Sequence, residues 1–243
     1  MTDAAAAAPP GNDASDTALG RLVGVFVSPA RTFAAIARKP TWLLPVLIMG
    51  GLSLPLSELI LSKTDWHATV SSQIAKSGRH LSEQQIDQAV EQAQKISWVW
   101  DIIAVVAPLL ATIIVAAVYW GGCNAFGWGV KFRQSLGVTA HAFFPGLISS
   151  IGMAAVLWNR TSIDPQKVGD LIPTNLGYFA PDADRVTHGL LSSIDLFSFW
   201  TMALLVLGLA AAAGAPRKRV AMLVVGIWVL YVLGKAGATA LMG

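Results

Sequence analysis

Four charged residues lie at the edges of long apolar stretches, where a charge needs a partner or water. Glu58, Asp101 and Asp195 lie near one end of three such stretches, and Lys235 interrupts another. At 1.5 Å per residue, Lys235 is about 24 Å from the inner end of its stretch, which gives it the depth of the three acids. We therefore predict that Lys235 pairs with at least one of them. An ion or proton site near the outer face is the functional hypothesis, and the interfacial depth favours a structural ion pair or a lysine that reaches water.

A histidine lies deeper in an apolar stretch, with no obvious charged partner. His141 is about two helical turns from the inner end of the third stretch. It could relay protons or bind a ligand. The sequence favours a neutral ring, hydrogen-bonded to a backbone carbonyl, to Asn124 or to Ser135, because single polar groups commonly join helices in membranes.

Motifs for catalysis or metal binding are missing from the sequence. There is no phosphate loop, nucleophile elbow or pair of catalytic carboxylates. His67, His80 and His188 are in separate loops at no metal-ligand spacing, and the single Cys123 excludes an internal disulfide and a cysteine zinc site. The net charge of +3 is scattered, without a nucleic-acid footprint. The sequence thus predicts a non-enzymatic protein with no catalytic residue, cofactor or metal and no nucleic-acid partner.

The elements that position these residues are apolar helices. Hydrophobic residues make up 54% of the 243 positions and charged residues 13%, about half the charged fraction of a soluble domain. A helix of about 20 residues crosses the ~30 Å hydrocarbon core of a bilayer. The sequence predicts an all-α integral membrane bundle of five transmembrane helices. The predicted spans are about 42–61, 98–120, 136–158, 195–213 and 220–242.

The distribution of basic residues predicts the orientation of these spans. Short, dense basic segments fall on one side and sparse ones on the other, and short basic loops remain in the cytoplasm. The amino terminus is then cytoplasmic and the carboxy terminus outside, in a cytoplasmic (inner) membrane. The dense side receives Arg21, Arg31, Arg38, Lys39, Lys131, Arg133, Arg217, Lys218 and Arg219.

The chain divides into three regions. Residues 1–18 are rich in alanine, proline and small polar residues and predict a disordered tail. Residues 19–40 predict two short amphipathic helices, with Leu19, Leu22, Val23 and Phe26 on the apolar face of the first and basic side chains, Arg21 among them, on the polar side. We expect this pair in the headgroup region, with a docking surface for a partner as the alternative. Residues 41–243 form the five-span domain.

The connections and small residues carry two further predictions. Ser82 and Gln85 fit a capping box within a helical connection, residues 63–97, on the outer side. Small residues four apart, such as Gly208 with Ala212 and Gly234 with Ala238, permit close contact between helices. This spacing favours internal packing and would also permit a homo-oligomer.

The chain resembles the Yip family of multi-span membrane proteins, named for binding Ypt/Rab GTPases. The resemblance covers nearly the whole chain after the tail. Its residues are Phe26-Val27-Ser28-Pro29 with Phe33, Ile36, Trp42 and Pro45; Phe126-Gly127 with Phe132, Gln134, Leu136, Val138, Ala140, Ala142, Pro145 and Leu147-Ile148-Ser149-Ser150; and Ser193-Ile194-Asp195-Leu196-Phe197 with Trp200 and Leu207-Gly208-Leu209-Ala210. It implies five spans with a cytoplasmic amino terminus.

The resemblance points to the prokaryotic branch of that family. The acidic Asp-Leu-Tyr-Gly-Pro stretch of eukaryotic members is missing, which makes GTPase binding doubtful. The expected partners are the lipid bilayer and other membrane proteins. The hypothesis is a scaffold or organiser of membrane proteins, or of membrane trafficking and homeostasis. The alternative is a transporter or channel for an ion or small solute, suggested by the prolines of the first three spans and the charged cluster.

Overall fold

The computed structural model describes residues 17–242, most of which are helical. Positions 1–16 of the predicted tail lie outside the described residues. The side chain of Thr17 accepts a 3.0 Å hydrogen bond from the amide of Gly20, where the first helix begins. This range contains α-helices and two short 3₁₀ helices, Pro165–Asp170 and Leu176–Phe179. It contains no β-strand. The α-helices are α1 Ala18–Val27, α2 Pro29–Arg38, α3 Leu43–Lys63, α4 Trp66–Lys76, α5 Glu83–Lys95, α6 Trp98–Ala125, α7 Phe132–Ala142, α8 Gly146–Trp158, α9 Arg185–Ser193, α10 Leu196–Ala213 and α11 Arg217–Met242.

Five segments are long and apolar enough to cross a membrane, which confirms the predicted fold class. They are α3, α6, the pair α7–α8, α10 and α11. The third span differs from the prediction because it is two helices separated at Phe143–Pro145. Proline has no amide hydrogen to continue the ladder. The backbone instead forms 3₁₀-type hydrogen bonds between residues three apart. The amide of Phe144 donates to the carbonyl of His141, and the amide of Gly146 donates to the carbonyl of Phe143.

The second span is longer than predicted. Its helix continues to Ala125 through Gly121 and Gly122, beyond the predicted end at residue 120. The turn comes only at Gly127 and Gly129, whose φ angles of 72° and 63° suit glycine. Asn124 closes it by donating to the carbonyls of Trp120 and Val130.

The main core lies where α2, α7 and α10 meet. Phe33 of α2 and Val138 of α7 are fully buried against Gly208 of α10. A side chain at Gly208 would overlap both, so glycine is what lets the three helices approach. Tyr119 and Cys123 of α6 complete this core. The prediction that Gly208 serves internal packing is confirmed.

The amphipathic pair α1–α2 is packed differently from the prediction. The apolar face of α2 is covered by α10 and α7, with Phe33 and Ile36 fully buried. In α1, Arg21 faces the protein and is 2% exposed, whereas Leu19 and Val23 face outward. The assignment of Arg21 to the polar side is therefore wrong, because its guanidinium finds backbone and side-chain acceptors inside. Whether the pair lies at headgroup depth stays a prediction.

The opposite end carries the two long connections. Helices α4 and α5 pack side by side, and α5 begins with the predicted capping box at Ser82 and Gln85. A backbone bridge between Thr64 and Ile163 joins the two connections. Helix α9, in the second connection, packs against α11.

Candidate functional site

The four charged residues of the predicted outer cluster have separate surroundings. Glu58 is exposed near the end of α3, and Asp101 lies in the first turn of α6. Asp195 is the N-cap of α10, where its carboxylate accepts a 2.9 Å hydrogen bond from the amide of Ser198. That bond satisfies one of the free amides at the helix start, so Asp195 has a structural role already.

Lys235 does not form the predicted ion pair with an acid. Its ammonium donates to the carbonyl oxygen of Gly189 at 3.2 Å and to the hydroxyl of Ser193 at 3.4 Å. No described acidic side chain lies within salt-bridge distance of it. The physical reason is that α9 packs against α11 and presents acceptors where the sequence suggested a carboxylate. The sequence could not show this because α9 is a short polar helix in a loop.

Asp101 has the least satisfied side chain of the four. Its Oδ1 is buried and has no hydrogen-bond partner among the described residues. Leaving a buried acceptor without a hydrogen bond costs free energy, so this carboxylate oxygen needs an explanation. Among the described residues, no salt bridge joins Asp101 to Lys235.

His141 is fully enclosed between helices. Its ring is 1% exposed, and Nδ1 is 2.8 Å from the carbonyl oxygen of Gly137, one turn earlier. Because a carbonyl only accepts, Nδ1 carries the proton. The structure thus selects the backbone-carbonyl alternative. Ser135 instead donates to the carbonyl of Ala116 in α6, and Asn124 holds the α6–α7 turn.

A polar junction that the sequence pattern does not predict lies at the α1–α2 end. The guanidinium of Arg21 donates to the carbonyl of Lys39 at 2.7 Å and to the hydroxyl of Thr41 at 3.0 Å. Gln134 of α7 donates to the carbonyl of Ala37 at 2.9 Å. These bonds use carbonyls left free at the end of α2. A usable signal was that Arg21 is four residues before Val25 and so shares its buried face.

Charge is sharply divided between the two ends of the bundle. We call residues 17–40, 126–133 and 214–219 the basic end. It holds nine lysines and arginines and no acidic residue, all but Arg21 exposed. Among residues 17–242, all eleven acidic residues lie in 58–101 and 164–195, together with six basic residues. The basic end therefore has a strong positive potential that nothing in its own described segments neutralises.

A histidine also joins parts of the opposite end. Nε2 of His188 in α9 is 3.4 Å from Asp170, and Nδ1 is 3.5 Å from the hydroxyl of Ser192. Both distances exceed those of a working nucleophile–base pair. The described residues hold no group of three metal-ligating side chains.

The fold and charge division define a multi-pass membrane protein with five apolar helices. The Yip1 domain family matches residues 23–237, so the chain belongs to that family. A relative in Bacillus subtilis (strain 168), named membrane protein YknW, is 25% identical over 227 residues, covering 91% of this chain and 92% of the relative. This supports a prokaryotic member of the family. No solved structure matches the chain.

Proposed function

We propose that this protein is a non-enzymatic membrane scaffold that binds other membrane proteins and presents its basic end to the cytoplasm. The observation that carries the proposal is the basic end itself, with eight exposed basic side chains and no described acid. Orientation follows from the rule that short basic loops stay cytoplasmic. The membrane would then be the cytoplasmic (inner) one.

The packing of the polar candidates also supports a scaffold. Asp195 caps a helix, Lys235 binds α9, and His141 is enclosed with its Nδ1 bonded to a carbonyl. Groups engaged in this way hold helices together, and none of the three lines the groove beside α11 or the groove near the start of α3.

The test is co-purification in mild detergent at native expression, with mass spectrometry of the retained proteins. A variant with Lys131, Arg133, Arg217 and Lys218 changed to glutamine should lose the partner. A matched variant with Lys63, Arg79, Arg160 and Lys167 changed to glutamine should keep it. A reporter at the carboxy terminus checks that the topology is unchanged in both. The proposal fails if wild-type protein has no reproducible partner and its deletion leaves membrane-protein assembly unchanged.

A transporter or channel is the second candidate, favoured by the broken third span. Discontinuous helices commonly form substrate sites in transporters. The break at Phe143–Pro145 begins two residues after His141, and the hydroxyl of Thr139 is buried without a hydrogen-bond partner among the described residues. Reconstituted vesicles decide between the two. Flux that is lost in Lys235→Met or His141→Ala would establish transport, and no flux across a broad solute panel would exclude it in favour of the scaffold.

A further inference from the structure

A groove of about 640 Å³ runs along one face of α11 beside the turn that follows α6. Its volume is in the range of ligand sites. The turn contributes Phe126 and Trp128, whose rings stack with centroids 5.3 Å apart. The residues from α11 are spaced three and four apart on a single face, and they are Arg219, Met222, Leu223, Gly226, Ile227 and Leu230.

The shape of the groove depends on one glycine. A β-carbon at Gly226 would meet nothing within 4 Å, so this residue leaves the middle of the groove open. One turn earlier, α11 touches α6, because a β-carbon at Gly122 would lie 2.9 Å from Leu223. The groove is therefore open on the outer side of the helix pair, where Met222, Leu230 and Phe126 are exposed.

The position of the groove along α11 indicates how deep in the bilayer its occupant lies. From Arg219 to Leu230, eleven residues of helix span about 16 Å. That is about half of the ~30 Å hydrocarbon core, or one leaflet. The groove thus extends from the end of a span toward the middle of the bilayer. Stacked aromatic rings at its mouth are typical of the level of the headgroups.

The chemistry of the mouth specifies a negative headgroup. Arg219 is exposed, and no described acidic side chain is within salt-bridge distance of it. Arg217 and Lys218 precede it, and the basic end contains no described acid. Basic pockets between transmembrane helices are sites where anionic headgroups bind. The rest of the lining is apolar.

We propose that this groove binds one phospholipid with a negatively charged headgroup. Its phosphate lies at Arg219 and an acyl chain lies over Gly226, along α11. The site requires only that spans end near headgroups, so it depends neither on which end is cytoplasmic nor on the scaffold function.

The test is native mass spectrometry of the full chain released from nanodiscs. The discs contain equal amounts of phosphatidylglycerol and phosphatidylcholine with identical acyl chains. We expect one phosphatidylglycerol to remain on the wild type after phosphatidylcholine has been stripped. Arg219→Gln should reduce its retention about five-fold, the effect of one basic residue near a membrane surface. Lys218→Gln, in the same turn but outside the groove, should retain more lipid than Arg219→Gln.

A second variant tests the apolar part of the site. Gly226→Leu fills the groove and should abolish retention, whereas Gly234→Leu adds the same side chain two turns away, where there is also open space. If the Gly226→Leu variant does not fold, the Arg219→Gln variant still tests the proposal, because Arg219 is exposed and its substitution does not disturb the core. Equal retention of both lipids, or unchanged retention in Arg219→Gln, would overturn the proposal. Displacement by glycerol phosphate alone would identify a soluble anion site instead. A wild-type dimer that Gly226→Leu makes monomeric would identify a second copy as the occupant.

Discussion

The guanidinium of Arg21 donates a 2.7 Å hydrogen bond to the carbonyl oxygen of Lys39, at the far end of the following helix. The same nitrogen reaches the hydroxyl of Thr41, just before α3. One buried side chain thereby fastens α1 to the end of α2 and to the start of the first span. A charged donor satisfying free carbonyls inside a protein is worth more than an exposed ion pair.

Arg21→Ala should lower the free energy of unfolding by about 2–3 kcal/mol, because it removes charge-assisted bonds and leaves acceptors unpaired. Arg38→Ala is the matched control, since this arginine of α2 is exposed, and it should change stability by less than about 0.5 kcal/mol. Denaturant titration in detergent measures both. Equal effects of the two substitutions would show that Arg21 is not a junction.

The bond between Lys235 and Ser193 predicts a particular energetic coupling. A double-mutant cycle with Lys235→Met and Ser193→Ala should give a coupling of about 0.5 kcal/mol, as expected for neighbouring polar groups near a surface. A second cycle, with Lys235→Met and Glu58→Gln, should give none. A coupling energy between Lys235 and Glu58, with none between Lys235 and Ser193, would instead support the ion pair that the sequence predicts.

The start of α9 should loosen in acid. The side-chain and backbone hydrogen bonds of Thr187, with that from the amide of Val186, lower the pKa of the Asp184 carboxyl below its usual value. A lowered pKa means that the carboxylate stabilises the cap at neutral pH and that this contribution is lost as the pH falls through the folded-state value. The protection of the Val186 and Thr187 amides against hydrogen exchange, corrected for intrinsic rates, should therefore fall on acidification.

Asp184→Asn provides the control for that experiment. Asparagine still caps a helix but does not titrate in this range, so exchange of the same amides, corrected for intrinsic rates, should no longer depend on the acid step. If the wild type and this variant respond alike to pH, another group controls the end of α9.

The sequence was sufficient for the spans because each is a long apolar run that contains at most one charged residue. It was also sufficient for the capping box at Ser82, which is a local pattern of four residues. It failed where a side chain is satisfied by a distant backbone carbonyl. Arg21 and Lys235 were assigned from charge alone, yet their acceptors are 18 and 46 residues away in the chain.

The break in the third span was only partly visible in the sequence. The sequence places Pro145 inside the predicted third span, but whether a proline kinks or splits a helix depends on neighbours that can satisfy the freed backbone groups. Small-residue spacing was similarly ambiguous. Gly208 is buried in the core, whereas Gly234 faces open space, although both are followed by alanine four residues later.

The same substitution, glycine to alanine, should affect the stability of the protein differently at these two positions. At Gly208, a β-carbon would overlap Val138 and lie 2.7 Å from Cδ1 of Phe33. Gly208→Ala should therefore destabilise the protein by about 1–3 kcal/mol, the usual cost of overpacking a core. At Gly234 the added methyl meets nothing, and alanine favours a helix over glycine by about 0.5–1 kcal/mol. Gly234→Ala should be neutral or stabilising.

Thermal unfolding in detergent, followed by helical circular dichroism, measures both variants under the same conditions. The helix-propensity gain is common to the two sites, so the difference between them reports the close approach of α10 to α2 and α7. Similar melting temperatures would mean that these helices can separate at no cost. The buried positions of Phe33 and Val138 would then not be part of a tight core.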